Sequence, residues 1–220
     1  MDVLGVVRRF FDGVLDAVLP PHERTARTKA RTLNDIPLVP TSHELLGATI
    51  TTILNYRDLA AQDLIRALKY DGSGAAASLA ASALADYLRE ELLSLQQFSP
   101  REILLVPVPL HISRARERGF NQIEIVLKAL PAEFRDGTFS RLAPETLVRV
   151  RPTKAQTKLH RTERIKNVVG AFAVSDPVRV KTSHIILVDD VATTGATLVN
   201  AGKPLQQCGA RVTLLALARA

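Results

Sequence analysis

Cysteine is nearly missing from this chain: Cys208 stands alone among 220 residues. A lone thiol excludes an internal disulfide and any metal site built on several cysteines. No run of about 18 apolar residues occurs, so no segment is read as spanning a membrane. Nor does the first stretch resemble a secretory signal, because Asp2, Arg8, Arg9, Asp12 and Asp16 interrupt any apolar core. Repeats and low-complexity tracts are absent. The patterns G-x-x-x-x-G-K-[ST] and G-x-G-x-x-G are also missing, which removes those two nucleotide loops. A cytoplasmic protein is the expectation these absences leave.

What is present suffices for a sizeable core, since 46% of the residues are hydrophobic. The net charge is +7 and unevenly spread. Residues 149–166 carry Arg149, Arg151, Lys154, Lys158, Arg161, Arg164 and Lys166 against Glu163 alone. Arg114, Arg116 and Arg118 with Glu117 form a second cluster, and Arg24, Arg27, Lys29 and Arg31 with Glu23 a third. The remainder is acidic overall. Localised positive charge implies an anionic partner, either polyphosphate or nucleic acid.

Val3, Val7, Phe10, Val14 and Val18 recur at helical spacing and predict a helix over 3–19, ended by Pro20-Pro21. The basic, threonine-rich stretch to about Thr32 reads as a loop. Helical spacing returns over 56–70, breaks at Asp71-Gly72-Ser73-Gly74, and resumes in an alanine-rich helix over 75–95. After Ser99-Pro100 strands and helices interleave: a strand at 103–107, a helix at 120–130, strands at 147–150 and 171–174. A strand at 185–188, a helix to about Cys208 and a last strand at 212–217 complete the chain. This alternation predicts an α/β fold, an open and mainly parallel sheet flanked by helices. The boundary falls near residue 45. Residues 1–45 form a small helical extension with a basic linker, and 46–220 form the core domain.

Residues 185–198 read IILVDDVATTGATL and carry the strongest chemical signal. Ile185, Ile186, Leu187 and Val188 suit a strand buried on both faces, with Asp189 and Asp190 placed where it ends. Val191, Ala192, Thr193, Thr194, Gly195, Ala196 and Thr197 then lead into a helix. Ligands of open parallel sheets sit beyond the carboxyl ends of strands, and a helix start offers N–H groups to a phosphate. Three threonine hydroxyls add donors, and Gly195 permits close backbone approach. Carboxylates repel phosphate, so the acids make sense where the ligand carries hydroxyls or a metal beside its phosphate. A ribose 5-phosphate does. The plainer account makes the two acids helix caps and the threonines turn formers.

Two further segments bear charge in patterns that suit phosphate. The string VPVPLHISRARERGFNQ, residues 106–122, ends a strand at Pro107 and Pro109 and then presents three arginines before a helix. Arginine forks suit phosphate oxygens, although a solvated basic loop has the same composition. His111 alone is read as a loop residue. The front half of residues 151–172 is polar without apolar period and reads as a mobile loop, with a short helix near 162–168. Its cations also suit a nucleic-acid backbone, bound with strong salt dependence.

Residues 185–198 closely resemble the phosphoribosyl-diphosphate (PRPP) signature of type I phosphoribosyltransferases. The other strings are similar to those of the ComF family, linked to competence and DNA uptake. Among them are Gln156-Thr157, the stretch from Arg161 to Arg164, and the stretch from Asn167 to Phe172. Tyr56 to Leu59 and Ile65, Leu68-Lys69-Tyr70 and Gly72 resemble a further family element, whose Lys69 either faces the ligand or lies on the surface of a packed helix. The resemblance covers about residues 53–217. It implies the type I phosphoribosyltransferase fold, with Asp189 and Asp190 as catalytic residues holding the ribose hydroxyls and as ligands of Mg²⁺. It places the 5-phosphate on Val191 to Thr197 and the diphosphate on Arg114, Arg116 and Arg118. Residues 151–172, with Lys154, become a hood that closes over PRPP and screens it from water. Purine-salvage relatives tend to carry an acid at the position of Thr193, so the acceptor is expected to lie outside 6-oxopurine salvage. ComF proteins commonly follow a Leu-Pro-Pro start with a four-cysteine zinc module. Here Leu19-Pro20-Pro21 is followed by His22, Glu23 and Arg24, and no zinc is expected.

Two functions follow from this resemblance. One is a phosphoribosyltransferase that moves ribose 5-phosphate from PRPP, with Mg²⁺, to an unread acceptor. The other is a competence factor without turnover that contacts single-stranded DNA, competence proteins or a helicase partner. A homodimer is compatible with both, and neither involves membrane insertion.

Overall fold

The four consecutive apolar residues at 185–188 are all fully buried, and successive ones enter different cores. Ile186 and Val188 pack on one side, Ile185 and Leu187 on the other, following the two-residue period of a strand. Ile103 and Leu105 against Leu104 and Val106, and Leu215 and Leu217 against Leu214 and Ala216, divide in the same way. A sheet apolar on both faces must be covered on both, which is the reason helices flank it.

A computed structural model describes residues 21–98, 101–110, 119–151 and 168–220. The elements are α1 (Pro21–Ala30), β1 (Leu38–Leu45), β2 (Ala48–Asn55), α2 (Leu59–Asp71) and α3 (Gly74–Phe98). They continue with β3 (Glu102–Pro107), α4 (Gln122–Lys128), β4 (Arg141–Leu142), β5 (Leu147–Arg149) and β6 (Phe172–Val174). The last are α5 (Pro177–Lys181), β7 (Ser183–Ala192), α6 (Ala196–Gln207) and β8 (Arg211–Arg219). Six strands form one sheet in the order β1-β2-β8-β7-β3-β4. Every neighbouring pair is parallel except the β1–β2 hairpin at the edge. The α/β class and the mainly parallel sheet are as the sequence predicts. No helix among the described residues is long and apolar enough to cross a membrane.

The connections fix where a ligand can enter. From β3 the chain crosses through α4 to β4 on one side, and from β7 through α6 to β8 on the other. Ile123, Val126 and Leu127 of α4 belong to one core, Leu198, Ala201 and Leu205 of α6 to the opposite one. Adjacent strands β3 and β7 thus send their chains in opposite directions. Beyond the carboxyl ends of such a pair an open α/β sheet leaves a crevice.

Three expectations from the sequence need correction. Residues 147–150 and 171–174 do form strands, but β5 and β6 pair antiparallel with each other and stand apart from the main sheet. The stretch before Thr32 is helical over Pro21–Ala30, with proline tolerated in the first turn. Its arginines do not wait for an anionic partner. Arg24 pairs with Asp71 through two hydrogen bonds of 3.0 and 2.9 Å, and Thr25 Oγ1 donates to Asp71 at 2.6 Å. Arg27 forks onto Asp63 at 3.0 and 2.9 Å, and Arg31 reaches the same carboxylate at 2.9 Å. Arg24, Arg27 and Arg31 of the third basic cluster thereby fix α1 to α2. Finally, the sequence reading assigned no element between Thr32 and Tyr56, where the β1–β2 hairpin lies; the boundary drawn near residue 45 falls at its turn. The predicted helix over 3–19 lies outside the described residues.

Burial alone would raise the Asp63 carboxyl, but the Arg27 and Arg31 hydrogen bonds outweigh it and hold it below the ordinary range. Its contribution is therefore present above the unfolded pKa and lost as pH falls through the folded one. Asp63→Asn is expected to cost about 1–2 kcal/mol at pH 7, by loss of charge-assisted bonds. In urea unfolding the gap from wild type should narrow below about pH 4; a gap unchanged down to pH 3 contradicts this account.

Candidate functional site

β7 does not stop at Val188. It continues through Asp189 and Asp190 to Ala192, pairing Asp189 with Ala216 and Val191 with Ala218 of β8. The sequence expectation placed both acids past the strand end. Lying within it, they obey its alternation and point to opposite faces. Asp190 turns to the α2 and α4 side and is 7% exposed, whereas Asp189 keeps more exposure on the other side.

Asp190 is held from all directions. Gln122 Nε2 donates to its Oδ2 at 2.7 Å, Lys69 Nζ lies 3.2 Å from the same oxygen, and Val191 N donates to Oδ1 at 2.6 Å. Asp190 N in turn donates to Asp189 Oδ1 at 2.8 Å. The helix start that follows is served by another group, as Ala196 N donates to Thr194 Oγ1 at 3.3 Å. Helix capping therefore does not account for the two acids.

The partners of Asp190 arrive from two helices with defined ends. Asp58 caps α2, accepting from Ala60 N at 2.8 Å and Ala61 N at 3.1 Å, and Gly72 closes it in the left-handed region. Asn121 caps α4 through Oδ1, and its Nδ2 donates to Val108 O at 3.1 Å, which ties the helix start to the end of β3. The Phe120 ring lies where a side chain on Gly72 would go, 2.9 Å from an added Cβ. The Leu68-Lys69-Tyr70 and Phe120-Asn121-Gln122 strings thus meet each other and Asp190. Lys69 sits in an ion pair with Asp190.

The charges on the two sides differ. Burial opposes the Lys69 ammonium, yet Asp190, with smaller help from Tyr56 and Asp189, raises its pKa above the ordinary value. Burial and the neighbouring Asp190 carboxylate push the Asp189 carboxyl up to about 7, against the pull of Lys69 and Arg149. Arg149, at the end of β5 with its guanidinium 5.2 Å from the Phe172 ring centroid, is a cation on the Asp189 side. The sequence offered Arg149 only as one of a run of cations, because its nearness to Asp189 depends on where the β5–β6 ribbon sits. Gln122 was legible as part of a string but not as a partner, since its acceptor is 68 residues away.

Asp189, Val191, Ala192, Thr193, Thr194, Gly195, Ala196 and Thr197 line one shallow concavity at the start of α6. Thr193, Thr194 and Thr197 all retain partial exposure there. Gly195 takes φ +75°, and the space beside it is filled by Ile50 and Leu45. Its smallness serves packing against the β1–β2 hairpin. Among the described residues no group of three or more His, Cys, Asp or Glu side chains could hold a metal. Mg²⁺ needs no such cage, because it keeps waters and takes one or two carboxylates beside ligand phosphates. Asp189 fits that use: ionisation is resisted by its surroundings, and a cation would relieve the strain. Asp190 has both oxygens engaged within the protein. Arg114, Arg116, Arg118 and Lys154 lie outside the described residues.

Comparison with known proteins bears on the family. No family model matches the chain. It is 30% identical over 168 residues to "Competence protein ComFC" of Streptococcus pneumoniae, covering 76% of this chain and 66% of that protein. It is 34% identical over 132 residues to "DNA utilization protein YhgH" of Salmonella typhi, covering 59% and 56%. With "Competence protein ComFC" of Bacillus subtilis it shares 32% identity over 112 residues, covering 51% and 42%. The chain thus spans between 42% and 66% of the length of these relatives. On these identities, the chain belongs to the ComF family.

Proposed function

We propose that the concavity at the end of β7 binds the ribose 5-phosphate end of PRPP and that the protein transfers this group to an acceptor during competence or DNA uptake. One observation carries the reading: at the switch between β3 and β7, a buried Asp190 is locked in place while Asp189 faces a hydroxyl-lined helix start. The fold behind it is then of the type I phosphoribosyltransferase kind, with the β5–β6 ribbon at the root of the hood. Thr193, Thr194 and Thr197 with the first amides of α6 receive the 5-phosphate, where the helix dipole favours it. Asp189 accepts from the ribose hydroxyls and holds Mg²⁺; Asp190 serves as its fixed support. Bound Mg²⁺ supplies positive charge to the departing diphosphate. Arg114, Arg116, Arg118 and Lys154 are assigned to the same diphosphate. Breaking the bond at the anomeric carbon develops negative charge on the leaving group, so cations fixed near it and a positioned acceptor provide the catalysis.

Calorimetry with PRPP and Mg²⁺ is expected to give a saturable heat, lost in Asp189→Ala, and an acceptor screen read by diphosphate release identifies the partner base. Absence of heat with the wild type overturns the reading. The printed names of the relatives, which speak of competence and DNA utilization, favour a second reading in which the cations of residues 151–166 contact single-stranded DNA. In that case DNA affinity survives Asp189→Ala and falls steeply with salt; retention that is flat in salt counts against it.

A further inference from the structure

We infer that Lys69 and Gln122 are positioning residues of this site, a brace from α2 and α4 that aims Asp189 by immobilising Asp190. The inference rests on the PRPP reading for its ligand but not for its geometry. Asp189 reaches the concavity from a strand residue whose orientation depends on the next peptide, because Asp190 N donates to Asp189 Oδ1 at 2.8 Å. That peptide lies within β7, whose ladder with β8 pairs Asp189 with Ala216 and Val191 with Ala218, and the Asp190 side chain on the opposite face adds a second hold. There Oδ2 is shared between Gln122 at 2.7 Å and Lys69 at 3.2 Å.

The two donors come from elements that are themselves tied together. Phe120 packs against Gly72, three residues beyond Lys69, and Asn121 fastens the start of α4 to Val108 at the end of β3. The sites of entry and the acid are therefore set by one connected contact, from β3 through α4 and α2 to β7. A buried carboxylate with a charged and a neutral donor on one oxygen has little freedom to rotate, which is how supporting groups hold a ligand residue in a productive geometry. Lys69 acts through Asp190; it is not assigned a contact with substrate.

Amide hydrogen exchange and PRPP·Mg²⁺ calorimetry on the full chain separate the brace from the ligand reading. The variants are Lys69→Met, Lys69→Arg, Gln122→Leu, Asp190→Asn and the double variant of Lys69→Met with Asp190→Asn. Lys69→Met is expected to raise exchange at residues 190–197 about tenfold and to weaken PRPP about tenfold, a change of roughly 1.4 kcal/mol. Lys69→Arg should restore both to within about threefold, since it keeps the charge. Within the Asp190→Asn background, Lys69→Met should change neither measurement by more than about twofold, because residues that act through one partner are not additive. Gln122→Leu keeps the ion pair and supplies the test should Lys69→Met fail to fold; it should raise exchange at the same residues and leave β1 unchanged. Equal losses of affinity in both backgrounds would mean that Lys69 touches the ligand directly and would overturn the brace. So would exchange unchanged at residues 190–197 in Lys69→Met and Gln122→Leu. If the wild type gives no heat with PRPP while the exchange pattern holds, the ligand assignment falls and the brace stands.

Discussion

Asp189→Asn is expected to melt higher than the wild type at pH 8 while binding PRPP·Mg²⁺ about a hundredfold more weakly, the loss of a charged acceptor being worth about 1.5–3 kcal/mol. The two effects have one cause. Burial and Asp190 raise the Asp189 carboxyl to about 7, so the folded protein favours its neutral form. The folded state then holds more protons than the unfolded chain between the two pKa values, and wild-type stability falls as pH rises from about 4 to 7. Asparagine is neutral throughout and escapes that loss. A shift of this size corresponds to about 4 kcal/mol as an upper bound, and the partial exposure of Asp189 reduces it to about 1–2 kcal/mol. For a chain of this length that is a rise of about 3–6 °C in Tm. Below about pH 4 the variant and the wild type should melt together. Binding runs the other way with pH. Wild-type affinity for PRPP·Mg²⁺ should grow from pH 6 to 8 as Asp189 ionises, and the variant should show no such slope. A variant that melts lower at pH 8 would mean that Asp189 stabilises the apo fold, and its assignment as the strained, ligand-seeking acid would be lost.

How much of this site could be read from residues alone varies with the range of the interaction involved. The buried strand was legible because Ile185 to Val188 are apolar on both faces, a property of four adjacent residues. Its extension through Asp189 and Asp190 was not. Charged residues rarely continue a buried strand unless paired, and the pairing comes from Gln122, 68 positions away, and from Lys69 on a different helix. The same reason hid α1. Its sequence has no apolar period, and what keeps it helical against α2 is a set of arginine–aspartate contacts across 32 to 47 residues. Leu147 to Arg149 and Phe172 to Val174 were readable as strands from composition, but strand propensity does not name the partner strand. Local pattern specified the elements; the contacts that give Asp189 and Asp190 different roles are long-range.

That distinction bears on the basic clusters too. Arg24, Arg27 and Arg31 look from the sequence like an anion-binding surface, and they are instead internal fasteners for Asp63 and Asp71. Arg149 belongs to the Asp189 side of the site. The other two clusters follow β3 and β5 in the sequence, and apart from Arg149 and Arg151 their cations lie outside the described residues.

Gly195→Ala should be among the most damaging single-methyl changes in the chain, costing about 3 kcal/mol. Two independent penalties meet at this position. The residue takes φ +75°, which costs a residue with a Cβ about 1 kcal/mol or more. The new Cβ would also lie 2.7 Å from Ile50 Cδ1 and 2.9 Å from Leu45 Cβ. Ile50 is fully buried, and the Leu45 Cβ can retreat only if β1 moves with it. Overpacking of that kind costs about 1–3 kcal/mol. Gly47 separates the two contributions, since it has φ +74° with nothing within 4 Å of an added Cβ. Gly47→Ala should therefore show only the backbone penalty, about a third of the loss at Gly195. Urea midpoints at constant slope measure both. Because the elbow must shift to admit the methyl, Gly195→Ala should also weaken PRPP beyond what its lost stability explains, when compared below its melting range. Equal midpoints for the two variants would mean that the β1–β2 hairpin yields freely, and that it does not hold the phosphate end of the site in place.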